Sequence, residues 1–193
     1  MAIHRRLAPL LAQFDFSIES LLGRIAGLTD EEYFWEPVDY CWSVRPASDA
    51  RGVRMYGKGE WKLEYEALPL DSAEPPPVTT IAWRVAHLAT GMTLRADWTI
   101  GTKSLEFETV EMPGSAAAGI AALEQSAAFW REALTTATTD ADLDQVGRSA
   151  FPWGLDPDLP FIDIVWWVNR EVIHHGAEIA LLRDLWQWRP DNA

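Results

Sequence analysis

Residues 161–188 read FIDIVWWVNREVIHHGAEIALLRDLWQW and form the longest helical pattern of the chain, with no further proline until Pro190. On one face, apolar side chains follow each other at steps of four, four, seven and three residues: Ile164, Val168, Val172, Ile179 and Leu182. These steps are typical of the buried stripe of an amphipathic α-helix. Because other elements have to cover such a stripe, the pattern predicts a long helix within a helical domain.

Three further helical patterns come earlier in the chain. The first covers residues 4–28, and eight side chains form its apolar face: Leu7, Leu10, Leu11, Phe14, Ile18, Leu21, Leu22 and Ile25. The second starts after an N-cap at Thr79 or Thr80 and ends at Ile100, and the third covers residues 115–136. Four amphipathic helices of this length predict an all-α fold and, more specifically, a four-helix bundle.

Shorter elements are expected between the long helices. Thr29 followed by Glu32 matches a capping box, which predicts a helical turn through Trp35. Residues 140–144 predict a second capped turn. Residues 151–160 predict a loop, because they contain three prolines and a glycine.

The segment between the first two long helices, residues 36–78, breaks the helical pattern with prolines and glycines. Within it, Trp61, Leu63 and Tyr65 alternate with charged residues, which is the period of a short half-buried strand. We therefore expect a long loop that contains a small hairpin. Loops of this length inside a domain are usually functional or partly ordered, and we interpret the segment as part of a single domain spanning residues 1–193.

Composition excludes several classes of protein. The 193 residues include 16 basic and 29 acidic ones, which gives a formal net charge of −13. This charge argues against nucleic acids and anionic membranes as partners, because their phosphate groups would repel the chain. Cys41 is the one cysteine, so an internal disulfide and a cysteine-based zinc site are excluded. With no signal-peptide pattern and no apolar run of about 18 residues, we expect a cytoplasmic protein without a membrane anchor.

The C-terminal pattern contains two pairs of metal-ligand residue types four positions apart, Glu171 with His175 and His174 with Glu178. Residues at this spacing lie one turn apart on a helix, so each pair can present two ligands to one divalent ion. The same spacing is also found in ordinary surface salt bridges, which are the alternative interpretation of these pairs. However, His175 falls on the apolar stripe and Glu171 lies beside it, and a buried carboxylate without a partner is costly. A shared cation would remove that cost.

The second long helix offers a third ligand. His87 lies in the middle of this helix, which is expected to pack in the same bundle. A histidine on an apolar face is also typical of an ordinary core residue. With Glu171 and His175, it would form a set of three ligands from two helices, which leaves a coordination position open as in catalytic zinc sites.

These motifs resemble the DinB-like (YfiT-like) superfamily of metalloenzymes. That family has a histidine on its second helix in a tryptophan-rich context, and His-x-x-His-His-x-x-Gln-Ile on its fourth helix. Here residues 80–87 read TIAWRVAH and residues 171–179 read EVIHHGAEI, and residues 42–46 (WSVRP) follow the first helix. The resemblance covers the whole four-helix frame.

The resemblance implies metal ligands at His87, Glu171 and His175, with Glu171 in place of a family histidine and Glu178 in place of the glutamine. This His/Glu/His set is similar to the mycothiol-dependent maleylpyruvate isomerase branch, in which a divalent metal activates a thiol cofactor. A carboxylate ligand makes the site harder and more anionic, which tolerates zinc. We therefore expect a divalent ion, with zinc or nickel first, and a low-molecular-weight thiol as a further cofactor.

Two functions remain open at this point. The first is a metal-dependent enzyme acting on a small molecule, either a thiol-dependent transferase or isomerase or a hydrolase. The second is a non-catalytic helical bundle with a degenerate metal site that binds a small molecule or a partner protein. The family resemblance leaves a homodimer open as well.

Residues near the expected ligands have no assigned catalytic role. His174 and Glu178 are candidates for orienting a ligand or acting as a general base, and equally for solvated positions. Trp83 and Trp167 each come four residues before an expected ligand, so they either wall a pocket or fill the core. Cys41 is interpreted as a structural residue.

Overall fold

A computed structural model describes residues 3–49, 51–65, 76–150 and 157–189. Within these residues six α-helices and three short strands follow along the chain: α1 (Ala8–Ile25), α2 (Asp30–Tyr33), β1 (Val44–Pro46), β2 (Met55–Tyr56), β3 (Trp61–Glu64), α3 (Ile81–Ile100), α4 (Ala116–Thr135), α5 (Asp140–Asp144) and α6 (Phe161–Gln187). The prediction of a mainly helical chain is confirmed.

Polar caps set the ends of the long helices. The hydroxyl of Thr80 accepts the backbone N–H of Trp83 at 3.2 Å and starts α3, and Ser115 caps α4 in the same way. α1 is shorter than the predicted range 4–28 at both ends. Just beyond its C-terminal end, Gly27 has a φ of +75°, a left-handed conformation that turns the chain out of the helix.

The two short helices form where they were predicted. The hydroxyl of Thr29 accepts a hydrogen bond from the backbone N–H of Glu32 at 3.3 Å. The carboxylate of Glu32 in turn accepts a hydrogen bond from Nε of Arg183 in α6. At α5, Thr139 and Asp142 cap each other reciprocally. Among the helices described, none is both long and apolar enough to cross a membrane.

The long helices bury their apolar faces against one another. α1 packs against α4 and α6, and α3 packs against the same two helices. Large side chains of the shared core are nearly or completely inaccessible to solvent: Phe14, Met92, Leu123, Trp130, Leu134, Phe161 and Ile164. Each such burial stabilises the fold by roughly 1.5–3 kcal/mol relative to an exposed side chain. The packing also places one face of α3 against one face of α6, which carry the expected ligands.

A small antiparallel sheet corrects the prediction of an all-α fold. The strand expected at residues 61–65 is present as β3, and it pairs with β1 on one side and β2 on the other. The order β1-β3-β2 makes the expected hairpin a three-stranded sheet. β1 and β2 have three and two residues, which is too short for a periodic signal. Residues 66–75 of this segment, and 151–156 of the other predicted loop, lie outside the described residues.

Buried polar contacts attach the sheet to the start of α3. The carboxylate of Glu64, itself buried, accepts the N–H of Ser43 at 2.8 Å and Nε of Arg45 at 2.9 Å. Its backbone carbonyl accepts the indole N–H of Trp83 at 2.6 Å. The N–H of Thr80 donates to the carbonyl of Trp42 at 3.0 Å. The sheet therefore fixes the first turn of α3, one turn before His87.

Candidate metal centre

Three side chains predicted as ligands lie together between α3 and α6. His87 comes from the middle of α3, and Glu171 and His175 come from successive turns of α6. Nε2 of His87 lies 3.3 Å from Oε2 of Glu171, and Nε2 of His175 lies 3.4 Å from the same oxygen. One ligand atom of each residue lies within 4.8 Å of those of the other two. The structure thus brings together two imidazoles and one carboxylate from two packed helices.

An aromatic wall holds the His87 ring in place. The Trp83 indole stacks on His87 with a centroid distance of 4.8 Å and an interplanar angle of 10°, because the two residues are one helical turn apart. Trp83 also makes a T-shaped contact with His175 at a centroid distance of 6.0 Å, and a stacked contact with Tyr65 at 6.4 Å. Since Glu64 binds the indole N–H, the wall is anchored to the sheet.

The three side chains are shielded but remain in contact with solvent. The exposed fractions are 23% for His87, 14% for Glu171 and 13% for His175. Partial burial strengthens electrostatic interactions at the site, because fewer water molecules screen them. The three side chains are therefore partly shielded and partly open to solvent.

Glu178 lies behind His175, on the side away from Glu171. Its Oε2 is 2.7 Å from Nδ1 of His175 and accepts Nε of Arg84 at 2.9 Å. Arg84 also donates to the carbonyl of Thr79, at the start of α3. A carboxylate at Nδ1 favours a proton there, so in the neutral imidazole that a metal requires, the lone pair of Nε2 would be on the side of His87 and Glu171.

Hydrogen bonding keeps the carboxylate of Glu171 ionised. Burial alone would raise its pKa, but hydrogen bonds with His175, His87 and Arg170 outweigh burial and hold the pKa well below its usual range. Burial would likewise raise the pKa of Glu178, yet His175 and Arg84 lower it to about 2. The site therefore presents two carboxylates at neutral pH.

The two histidines respond differently to their surroundings. Burial lowers the pKa of His87, and its hydrogen bond to Glu171 offsets this only in part, so the ring favours the neutral form. Burial also acts to lower the pKa of His175, but hydrogen bonds to Glu171 and Glu178 outweigh it and raise the pKa. The raised pKa means that His175 tends to carry a second proton. A metal ion bound to its Nε2 would replace the proton there, since metal binding requires the neutral imidazole.

The donor set and its spacing fit a divalent ion. Imidazole nitrogen and carboxylate oxygen are ordinary zinc ligands at about 2.0–2.2 Å, and a tetrahedron with such bonds has edges of about 3.4 Å. The separations of 3.3 and 3.4 Å from Glu171 to the two histidines are close to that edge, and the third pair, His87 and His175, lies within 4.8 Å. If all three bound one ion, a fourth position would be left for water or substrate.

Other residues singled out from the sequence lie in different surroundings. Trp83 contacts two of the three ligand-type residues. Trp167 instead makes cation–π contacts, with Cζ of Arg95 5.2 Å and Cζ of Arg170 5.8 Å from its ring centroid. His174 is 63% exposed and stacks on His175. It also lies 3.4 Å from Glu178, so the predicted i, i+4 pair is present.

Cys41 is buried in the segment before β1, and its thiol donates to the carbonyl of Val38 at 3.1 Å. Burial raises the pKa of this thiol, which keeps it protonated and a poor nucleophile at neutral pH. These contacts support the structural interpretation of Cys41.

Sequence reasoning missed the two arginines that hold the acidic groups. Arg84 binds Glu178, and Nη2 of Arg170 donates to Oε1 of Glu171 at 2.7 Å. A signal for Arg84 was present: a charged residue inside the apolar run of α3 needs a buried acidic partner. Arg170 gave no such signal, because it is exposed and adjacent to its partner in sequence.

Comparison with known proteins gives one family. A family model described as the DinB superfamily matches residues 13–179, which is most of the chain and includes all three ligand-type residues. A search of curated proteins and a search of solved structures each gave no match.

Proposed function

This chain belongs to the DinB superfamily, and from that membership and the geometry of the site we propose that it is a divalent-metal-dependent enzyme. The observation that carries the proposal is the convergence of His87, Glu171 and His175 within 4.8 Å of one another. Zinc or nickel is the expected ion, because imidazole ligands suit both.

Different residues have different roles at the proposed metal site. His87, Glu171 and His175 hold the ion, and the open side of the group receives a small-molecule substrate. Glu178, held by Arg84, keeps Nε2 of His175 directed at the ion. Trp83 forms one apolar wall, and such walls favour binding of the carbon skeleton of a small molecule.

A low-molecular-weight thiol is the proposed second cofactor. A bound divalent ion lowers the pKa of a coordinating thiol or water enough to generate the anion near neutral pH. The buried and protonated Cys41 is unsuited to supply that thiol. The His/Glu/His set is similar to that of the mycothiol-dependent maleylpyruvate isomerase branch, which makes thiol-dependent isomerisation or transfer our first choice and hydrolysis the second.

We also propose that the chain is a single domain, a four-helix bundle formed by α1, α3, α4 and α6. The support is the pattern of contacts, in which α1 and α3 each pack against both α4 and α6. The sheet and the two short helices would then be additions to this frame.

A second candidate function is a non-catalytic bundle whose degenerate site binds a small molecule or a protein. One observation favours it: Glu171 can satisfy both histidines and Arg170 directly, as an ion-paired cluster. Such a cluster needs no cation to balance its charge.

Metal content separates the two candidates. We expect the wild-type protein, purified without chelator and dialysed, to retain about one ion per chain by elemental analysis, and His175→Ala to lose it. His174→Ala is the matched control, because His174 is exposed and outside the group of three. Equally low metal in the wild type and in His175→Ala would refute the enzyme proposal.

Activity tests the assignment to a branch. A screen of thiol-dependent isomerisation and transfer, with zinc or nickel supplied, should give activity in the wild type that Glu171→Ala lacks. Activity that persists in Glu171→Ala would contradict the role proposed for this carboxylate.

A further inference from the structure

A strip of exposed side chains runs along the outer face of α6. We call it the outer strip, and it consists of Trp166, Arg170, Ile173, Ala177, Leu181 and Asp184 of α6 together with Trp188, the residue directly after the helix. Its four large apolar members are 45–86% exposed. Large groups of exposed apolar side chains are uncommon on monomeric proteins and often mark an interaction site.

The outer strip is a single face of the helix. At 100° per residue, its seven side chains fall within an arc of about 80°. The buried residues of α6, such as Ile164, Val172 and Ile179, lie on the opposite side and face the core. The outer strip thus lies opposite the buried face of α6, although Asp184 reaches Arg24 of α1, and it does not include any of the three ligand-type residues.

The order of residues in the outer strip is self-complementary about Ala177. Ile173 and Leu181 stand four residues to either side, and Arg170 and Asp184 stand seven residues to either side. Trp166 and Trp188 complete the series at eleven residues on each side. Apolar residues thus mirror apolar ones, tryptophan mirrors tryptophan, and a cation mirrors an anion.

We propose that α6 pairs antiparallel with α6 of a second copy of this chain, around a two-fold axis through Ala177. A two-fold contact uses the same patch on both copies, and residues equidistant from the axis meet across it. Ile173 then packs on Leu181 of the partner subunit, and Trp166 on the partner's Trp188. Arg170 meets the partner's Asp184, and the symmetry makes this ion pair twice.

Charge complementarity selects a second copy over another partner. The side chains of Arg170 and Asp184 are 51% and 61% exposed, so both can reach across the contact. Within one copy Arg170 binds Glu171 and Asp184 binds Arg24, and the new pairs extend these contacts. Exposed pairs of this kind fix orientation more than they add affinity, so they specify the antiparallel register.

The size of the outer strip sets the strength of the dimer. The 22 steps from Trp166 to Trp188 correspond to a rise of about 33 Å, and a helix is about 10 Å wide with its side chains. Each copy then buries about 330 Å², which is less than half of the roughly 800 Å² per partner in a standard interface. We therefore expect reversible association at micromolar to submillimolar concentrations. Ala177, small and central, lets the helices approach closely.

Sedimentation equilibrium tests the association and its location. We expect concentration-dependent dimerisation of the wild-type chain, and a dissociation constant at least about tenfold higher for Leu181→Glu, which places a buried charge at the contact. Phe16→Glu is the matched control, because Phe16 is 73% exposed on α1. A wild-type chain that stays monomeric at submillimolar concentration would overturn the proposal, as would equal weakening by both variants.

A charge exchange tests the register. Arg170→Asp and Asp184→Arg should each weaken the dimer, since each places like charges opposite one another, and the double variant should restore it. Failure of the double variant to regain affinity over either single one would contradict the antiparallel arrangement.

A cysteine at the axis gives a readout independent of affinity. In Ala177→Cys the two introduced thiols face each other, and oxidation with diamide should yield a disulfide-linked dimer. Ser20→Cys, exposed on α1, is the control that should remain monomeric. The native Cys41 is buried and does not interfere. Equal yields of linked dimer from both variants would show random collision and overturn the proposal.

Discussion

At the scale of single residues, the site depends on a carboxylate that accepts several hydrogen bonds at once. The carboxylate of Glu171 forms hydrogen bonds with His87, His175 and Arg170, and each of these contacts favours its ionised form. A neutral or shortened side chain at this position would leave two partly buried imidazoles facing each other. We therefore expect the identity of residue 171 to decide whether the cluster can hold a cation.

Glu178 is the second residue on which the site depends. Its contact with Nδ1 of His175 sets the tautomer, so Glu178→Ala should lower metal affinity by about 10–100-fold, the usual cost of losing an outer partner of a histidine ligand. Competition against a chromophoric chelator measures this. His174→Ala, one turn away and exposed, should stay within a few-fold of the wild type. Unchanged affinity in Glu178→Ala would exclude the orienting role.

The sequence identified the members of the site better than their contacts. His87, Glu171 and His175 were found from helical spacing and family resemblance, both of which are local properties of the chain. The pairing of Arg84 with Glu178 depends on how α3 and α6 are rotated against each other, and the two residues are 94 positions apart. Periodicity gives the face of a helix but not the facing residue on its neighbour.

At the scale of elements, the loop after α3 is built on one carboxylate. Asp97, near the end of the helix, accepts backbone N–H groups of Thr102, Ser104 and Leu105. Burial would raise the pKa of Asp97, but these hydrogen bonds outweigh it and lower the pKa. The ionised carboxylate thus organises the chain that leaves α3.

Asp97→Asn should cost about 1–3 kcal/mol of unfolding free energy at pH 7, because an amide is a weaker acceptor for several buried donors. The pKa of Asp97 is lower in the folded state, so its contribution is fully present above the unfolded value of about 3.9 and is lost as the pH falls through the folded pKa. Urea unfolding at neutral and acid pH checks this. A difference between the two proteins that does not shrink below about pH 4 would argue against this role.

Glycines distinguish close packing from ordinary helix positions. A Cβ at Gly114 would lie 2.2–2.4 Å from the ring of Trp61, whereas a Cβ at Gly23 meets nothing within 4 Å. Gly114→Ala should therefore destabilise the protein by about 1–3 kcal/mol. Gly23→Ala, on the solvent side of α1, should stabilise it by about 0.5–1 kcal/mol. Thermal unfolding would show opposite shifts, and shifts of the same sign would contradict the packing described.

Helices were more predictable than strands for a physical reason. The ends of α3 to α6 follow from local signals such as the Thr80 and Ser115 caps, which depend on neighbouring residues. The sheet depends on pairing between separate short segments, and β2 has two residues. Only β3, with its alternating apolar residues, was long enough to be recognised.

At the scale of the whole molecule, the proposed ion joins two helices that are distant in sequence. His87 and Glu171 are 84 residues apart, and α3 and α6 are packed against each other around them. An ion that binds the folded chain and not the unfolded one adds to global stability by mass action. The order of helices around the core, unlike their number, could not be read from periodicity.

Removal of metal should therefore lower the melting temperature. With free ion at about a hundred times the dissociation constant, binding stabilises the fold by about 2.7 kcal/mol. We expect calorimetry to show a lower melting temperature for the wild type in excess chelator, and no chelator effect in His87→Ala. An equal effect of chelator on both proteins would place the ion elsewhere.

The stacked pair of Trp83 and His87 gives the molecule an optical property. Indole emission responds to charge on a ring in contact with it, and these two rings lie nearly parallel at 4.8 Å. Any ion, proton or small molecule that changes the charge on His87 therefore alters the fluorescence of one defined indole among eleven. The site carries its own spectroscopic reporter, and ligands can be detected there without a label and before any reaction is known.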